Sequence, residues 1–225
     1  MKGRIYFPGN PWPEGHPIKE LVWTARIDTE AGLWFDLHLE SEDYYAERYI
    51  EDEDDGVADS DFEAPIAWGN FHACTLSSNK WNTGGWLVGD DEAPLSFAGL
   101  VDRTFIVDDL DSPEFEVDDL DERAFHIYLL GHDDVAGHEI RFAPESTPGW
   151  WSLDWRGQIA LAYMGDFAFR YTFRVEAREL SFSGFELEVG MTEADARAFV
   201  RRWCQDAGEL SLAVGSDARY LRSAG

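Results

Sequence analysis

Basic side chains are scarce in this sequence: 18 Lys and Arg stand against 45 Asp and Glu over 225 residues, a formal charge of −27. A surface so anionic repels phosphate backbones and anionic headgroups, so neither nucleic acid nor a membrane is an expected partner. Cysteine is nearly absent too. Cys74 and Cys204 cannot build a disulfide framework, and neither lies in a CxxC pair or a Cys/His spacing of the zinc type. They read as buried, reduced thiols. No long apolar run suggests a membrane span. Lys2 and Arg4 are followed by Pro8, Gly9, Asn10 and Pro11 rather than by the apolar stretch of a signal peptide, so the expected location is the cytoplasm. The phosphate-binding glycine loops, the HExxH zinc motif and the GxSxG nucleophile elbow are all missing. That leaves little room for nucleotide enzymes and serine hydrolases of the common types.

What is present is a large stock of core formers. Hydrophobic residues make up 44% of the chain and aromatics 15%, with ten Trp, a composition unlike that of disordered acidic chains. The charge is distributed unevenly. Residues 1–50 carry 9 acids and 5 bases, 51–145 carry 25 and 4, and 146–225 carry 11 and 9, giving nets of −4, −21 and −2. Two tracts account for most of the middle: 51–63 (EDEDDGVADSDFE) holds eight acids and no base, and 108–122 (DDLDSPEFEVDDLDE) nine and none. Blocks of like charge repel themselves, so both are expected as solvated loops, with an interaction surface as the functional alternative.

Strand signals dominate. Residues 35–42 alternate Phe35, Leu37 and Leu39 against Asp36, His38, Glu40 and Glu42, the period of a half-buried strand. The same period runs through 167–178, with Phe167, Phe169, Tyr171, Phe173 and Val175 on one parity. It slips phase at Ser183-Gly184, as a β-bulge would. Shorter candidates are 21–27, 66–76, 85–88, 95–107, 124–130, 138–142 and 158–164. One helix is expected over about 192–207: Thr192 and Asp195 form a capping box, and Ala196, Phe199, Val200, Trp203 and Ala207 share a face. With no repeat period, these signals predict one mainly β domain, 1–225, in which an antiparallel sandwich or strongly bent sheet carries one late amphipathic helix.

The tract Glu51-Asp52-Glu53-Asp54-Asp55-Gly56 resembles a calcium loop at its start, but its twelfth position is Phe62, where an EF-hand needs a bidentate Glu. Only a looser Ca²⁺ site remains open. His132, Asp133 and His138 flank a short turn between strand candidates and form a possible Zn²⁺ set, for which a polar hairpin tip is the plainer account. His38 with Asp36, Glu40 and Glu42 is a second polar cluster; the plainer account there is an outward sheet face, opposite Arg170, Arg174 and Arg178 if those strands pair. Trp150, Trp151 and Trp155 are candidates for stacking on a sugar or anchoring a partner, for which core packing is the plainer account. The leading expectation is a non-enzymatic, acidic cytosolic binding protein that neutralises a basic protein partner, in the manner of an immunity protein that inhibits a cationic toxin by mimicking phosphate. Its partner-binding residues would be Asp52, Asp54, Asp55, Asp59, Asp61, Asp108, Asp109, Asp111, Asp118, Asp119 and Asp121. The alternative is a metal-dependent or carbohydrate-binding β protein using the His132/His138 hairpin or the tryptophans.

Overall fold

The computed structural model describes residues 2–50, 60–78, 84–113, 115, 123–215 and 219–223. Mainly β structure is what it shows: 49% strand and 11% helix, with twelve strands in one sheet. The sheet bends until it closes. β1 (Lys2–Tyr6), β2 (His16–Asp28) and β3 (Gly32–Ser41) follow one another in antiparallel order, and β8 (His132–Pro144), β9 (Trp150–Ala160) and β10 (Tyr171–Leu187) do the same on the other side. β10 then pairs with β1 (Ile5 opposite Val175) and, further along, parallel to β2 (Phe182 opposite Trp23), which completes the ring. At its far end it also pairs with β12 (Arg219–Ser223), and β12 with β11 (Leu210–Val214).

Between β3 and β8 the wall is built from two interrupted staves. β4 (Thr75–Ser78) lies along His38–Glu40 of β3, and β5 (Trp86–Gly89) along Leu33–Phe35 of the same strand. On the other side β7 (Phe125–Tyr128) and β6 (Thr104–Val107) lie along separate parts of β8. β4 and β7 are hydrogen-bonded to each other, whereas β5 and β6 each have a single strand partner among the described residues. The second acidic tract is therefore an insertion between two pieces of one stave.

The alternation predicted from sequence fills the barrel. Phe35, Leu37 and Leu39 of β3 and Phe173, Val175 and Ala177 of β10 are all buried, as interior positions of a small barrel must be. Trp23 stacks on Phe142 (centroids 4.4 Å apart) and meets Phe35 edge-on in one aromatic cluster. Trp12, His16, Tyr44, Phe62 and Trp68 form another. The predicted slip is present: Gly184 has φ +124, and the β10–β2 register shifts between Phe182 and Phe185. A second irregularity at Glu179, φ 57, divides the β9 pairing.

α2 (Glu193–Trp203) begins where expected, with the Asp195 N–H donating to the Thr192 hydroxyl at 3.1 Å and Ala196, Val200 and Trp203 buried. It stops short of Ala207, because Cys204 bridges to Leu95 instead. Four strand expectations need correction. Pro65 starts a helical turn, α1 (Pro65–Gly69), so of 66–76 only Thr75 and Leu76 are strand, the first two residues of β4. Residues 98–100 and 162–164 form 3-10 turns, which shortens the strands expected there. Phe167–Arg170 precedes β10: Asp166 accepts the Ala168 N–H and pairs with Arg170, a turn that leaves Phe167 exposed.

Candidate binding surface

Both acidic tracts join the fold beside the start of β10. Phe62, near the end of the first tract, is buried and stacked on Tyr171 with centroids 4.2 Å apart and planes 21° from parallel. Its carbonyl accepts the Trp68 indole N–H at 2.8 Å. Phe115, within the second tract, meets Phe169 edge-on at 6.2 Å. Anchors separated by some fifty residues of sequence thus share the two aromatic neighbours of Arg170. The adjoining loop carries three exposed apolar side chains: Tyr163 at 61%, Met164 at 42% and Phe167 at 63%. Tyr163 also touches the ring of Phe71, 6.1 Å between centroids.

The root of the second tract is tightly made. Asp108 turns out of β6 in the left-handed region, φ 49, and its carboxylate accepts the Ala124 N–H at 3.0 Å, tying the two ends of the insertion together. The Ala124 carbonyl accepts the Gly85 N–H at 2.9 Å, which links β5 to the same knot. Burial raises the Asp108 carboxyl to about 6, opposed by the Ala124 hydrogen bond and by Arg123. Behind it lies His138, fully buried. The Trp155 indole donates to its Nδ1 at 3.3 Å, leaving the proton on Nε2, which faces Asp108 Oδ2 at 3.7 Å. Burial lowers this imidazole to about 3, so it is neutral at ordinary pH. Gly157 makes room for it, since a Cβ there would stand 2.7 Å from His138 Nδ1. Arg123, 3% exposed, lies over the rings of Phe115 and Phe169 with Asp134 at 3.5 Å.

The candidate acids divide three ways. Asp61, Asp109 and Asp111 are exposed. Asp108 is largely buried and accepts the Ala124 N–H, because the insertion needs an acceptor at its base. Asp52, Asp54, Asp55, Asp59, Asp118, Asp119 and Asp121 lie outside the described residues.

The histidine set is not brought together. His132 and His138 lie on one strand, the first exposed and the second buried. Asp133 between them accepts the Leu130 and Tyr163 N–H groups, holding the β7–β8 hairpin against the 161–164 segment. Among the described residues no three His, Cys, Asp or Glu side chains are grouped to hold a metal ion. The tryptophans belong to β9 rather than a loop: Trp155 is fully buried, Trp151 packs on Trp23 and Trp150 is 38% exposed, so they share no open face. His38 bonds Ser77, while Asp36 and Glu40 pair with Arg26 and Lys19 of β2. Arg174 and Arg178 instead face β1 and β9, since β10 does not adjoin β3. Both cysteines are free and buried, and burial holds their thiols protonated, Cys204 near 12.

The His138–Asp108–Arg123 group escaped sequence reasoning, because its members are 15 to 30 positions apart and Asp108 read as one acid of a run. No helix among the described residues is long and apolar enough to cross a membrane. No protein-family model, curated protein or solved structure matches this chain.

Proposed function

We propose that this chain is an acidic binding protein that captures and neutralises a basic protein partner through the surface from which its two acidic tracts emerge, in the manner of an immunity protein against a cationic toxin. The observation that carries this reading is the charge asymmetry, −21 over residues 51–145 against −4 and −2 on either side. Two features of the fold support it. The anchors of the two tracts, Phe62 and Phe115, sit on Tyr171 and Phe169, two positions apart in the chain. In the adjoining loop Tyr163, Met164 and Phe167 are exposed. Apolar and aromatic anchors inside a charged rim are how protein interfaces are commonly built.

Elsewhere the cations are largely matched by local acids, as in Lys2 with Glu179, Arg4 with Glu47 and Arg202 with Asp91. A concentrated negative field speeds encounter with a basic partner and covers its phosphate-binding surface with carboxylates. The test is charge reversal in the first tract, Asp52→Lys, Asp54→Lys and Asp55→Lys together. The wild type should recover a partner of high pI from the source organism, and the variant should associate with it about tenfold or more slowly at little-changed dissociation rate. Recovery of no basic protein, or equal binding by the variant, refutes the reading.

A further inference from the structure

The interrupted stave leaves an opening in the barrel wall. β4 and β7 close the wall at one end, but beyond the knot at Asp108, Ala124 and Gly85 the strands part, and β5 and β6 stand mostly more than 8 Å apart Cα to Cα. Between them is a cleft of about 610 Å³ lined by Trp34, Gly85–Leu87, 103–108 and Ala124. Hydrogen-bonded strands lie about 4.8 Å apart, so a strand seated between β5 and β6 needs its two walls about 10 Å apart. A strand occupies roughly 3.3 by 4.8 by 10 Å per residue, about 160 Å³. The cleft volume corresponds to about four residues, the length of β5 and of β6.

Its walls suit a backbone. In an antiparallel pair alternate residues turn their N–H and C=O groups away from the partner. β5, paired to β3, and β6, paired to β8, therefore direct such groups into the cleft from both sides. The two walls run in opposite directions, as the chain of antiparallel pairings β5–β3–β4–β7–β8–β6 requires. An occupant would run parallel to one and antiparallel to the other. Trp86 and Phe105 meet beneath the cleft with centroids 5.6 Å apart, so inward side chains must be small. On the outer side Leu87 (38%) and Ile106 (55%) are exposed and would flank an aliphatic side chain.

Charge selects the occupant. At the knotted end stands Asp108, first of the nine acids in 108–122, and among the described residues the only lining cation is Arg103, held over Phe105 at 4.4 Å from the ring centroid. We propose that the β5–β6 cleft accepts an extended segment of a basic protein by strand addition, with small residues inward, an aliphatic residue between Leu87 and Ile106, and a cationic end at Asp108. This is the main-chain mode of peptide recognition. It rests on the function proposed above and assigns that partner a segment which enters the sheet.

The test uses a capped peptide of about eight residues, Lys-Lys-Val-Ala-Val-Ala-Lys-Lys, with hydrogen exchange read along the whole chain. Saturating peptide should slow exchange about tenfold or more in both Trp86–Gly89 and Thr104–Val107. Methylating alternate backbone nitrogens of the peptide should abolish that protection, and so should replacing its Lys by Glu. Failure of the peptide to bind, or binding without protection of both strands, overturns the proposal; so does equal protection by the methylated peptide, which would reflect charge alone. Failure here with a basic partner still captured, and lost on charge reversal in 51–63, would leave the proposed function standing without strand addition. Protection by the peptide with no basic partner captured would preserve the cleft as a peptide site and remove the neutralising role.

Discussion

Phe62 lies flat against Tyr171, ring centroids 4.2 Å apart, and this stack fixes the end of the 51–63 tract to the first residue of β10. A tract that carries eight acids and no base over thirteen positions gains little cohesion from its own sequence. One aromatic near its end supplies the attachment. Phe115 serves the second tract in the same way, against Phe169 and under the guanidinium of Arg123.

Phe62→Ala should therefore cost stability as a core truncation. Phe62 is 1% exposed and touches both Tyr171 and Trp68, which places the loss at about 3 to 5 kcal/mol. Urea unfolding followed by tryptophan fluorescence measures it. A loss under about 1 kcal/mol would mean that the stack is not maintained in solution.

Asp108 supplies a pH signature. Its carboxyl is raised from 3.8 to about 6, mainly by burial. Between those values the folded chain keeps a proton that the unfolded chain has released, so this group lowers stability as pH rises through the window, with the full cost above it. Asp108→Asn retains an acceptor for the Ala124 N–H and a residue type tolerant of positive φ, while removing the charge. Relative to wild type, the variant should gain about 2 kcal/mol on going from about pH 4 to about pH 7.5, since one pKa unit is about 1.4 kcal/mol. Unfolding both proteins at both pH values decides the matter. A pH-independent difference would place Asp108 in contact with water.

The buried imidazoles act in the opposite sense. Burial lowers His138 to about 3 and His16 to about 4, from 6.5. Below 6.5 the unfolded chain takes up protons that the folded chain refuses, so the two groups withdraw stability as pH falls from there toward their folded values. In NMR titrations their ring-carbon protons should keep neutral-imidazole shifts down to about pH 5. Protonation of either ring near 6.5 in the folded protein would contradict the packing.

Legibility followed locality. The faces of β3 and β10, the slip at Gly184 and the Thr192 cap are written in neighbouring residues, where periodicity and capping chemistry can be read. The 66–76 segment misled because apolar alternation hid Pro65 at a helix start. Trp150, Trp151 and Trp155 are close in sequence, yet strand alternation sends Trp155 into the core, as the plainer reading had it, and leaves Trp150 at the surface. Neither the cleft nor the Asp108 knot was visible, because both arise from strand partners chosen across the barrel. That one stave is shared by β6 and β7 depends on β8, which follows both in the chain.

The loop between the tract anchors separates a role in binding from a role in folding. Met164 and Phe167 are 42% and 63% exposed. Truncating both to Ala should change unfolding free energy by less than about 1 kcal/mol, as surface substitutions do. If they are the apolar centre of the proposed interface, the same double variant should speed dissociation of a basic partner by about tenfold or more while leaving association nearly unchanged. Charge reversal in 51–63 should do the reverse, because rim charges act on encounter and buried anchors on residence. The two sets of variants therefore divide the rate constants between them. Binding kinetics unaltered by Met164→Ala and Phe167→Ala would move the contact away from this loop, whatever the acids do.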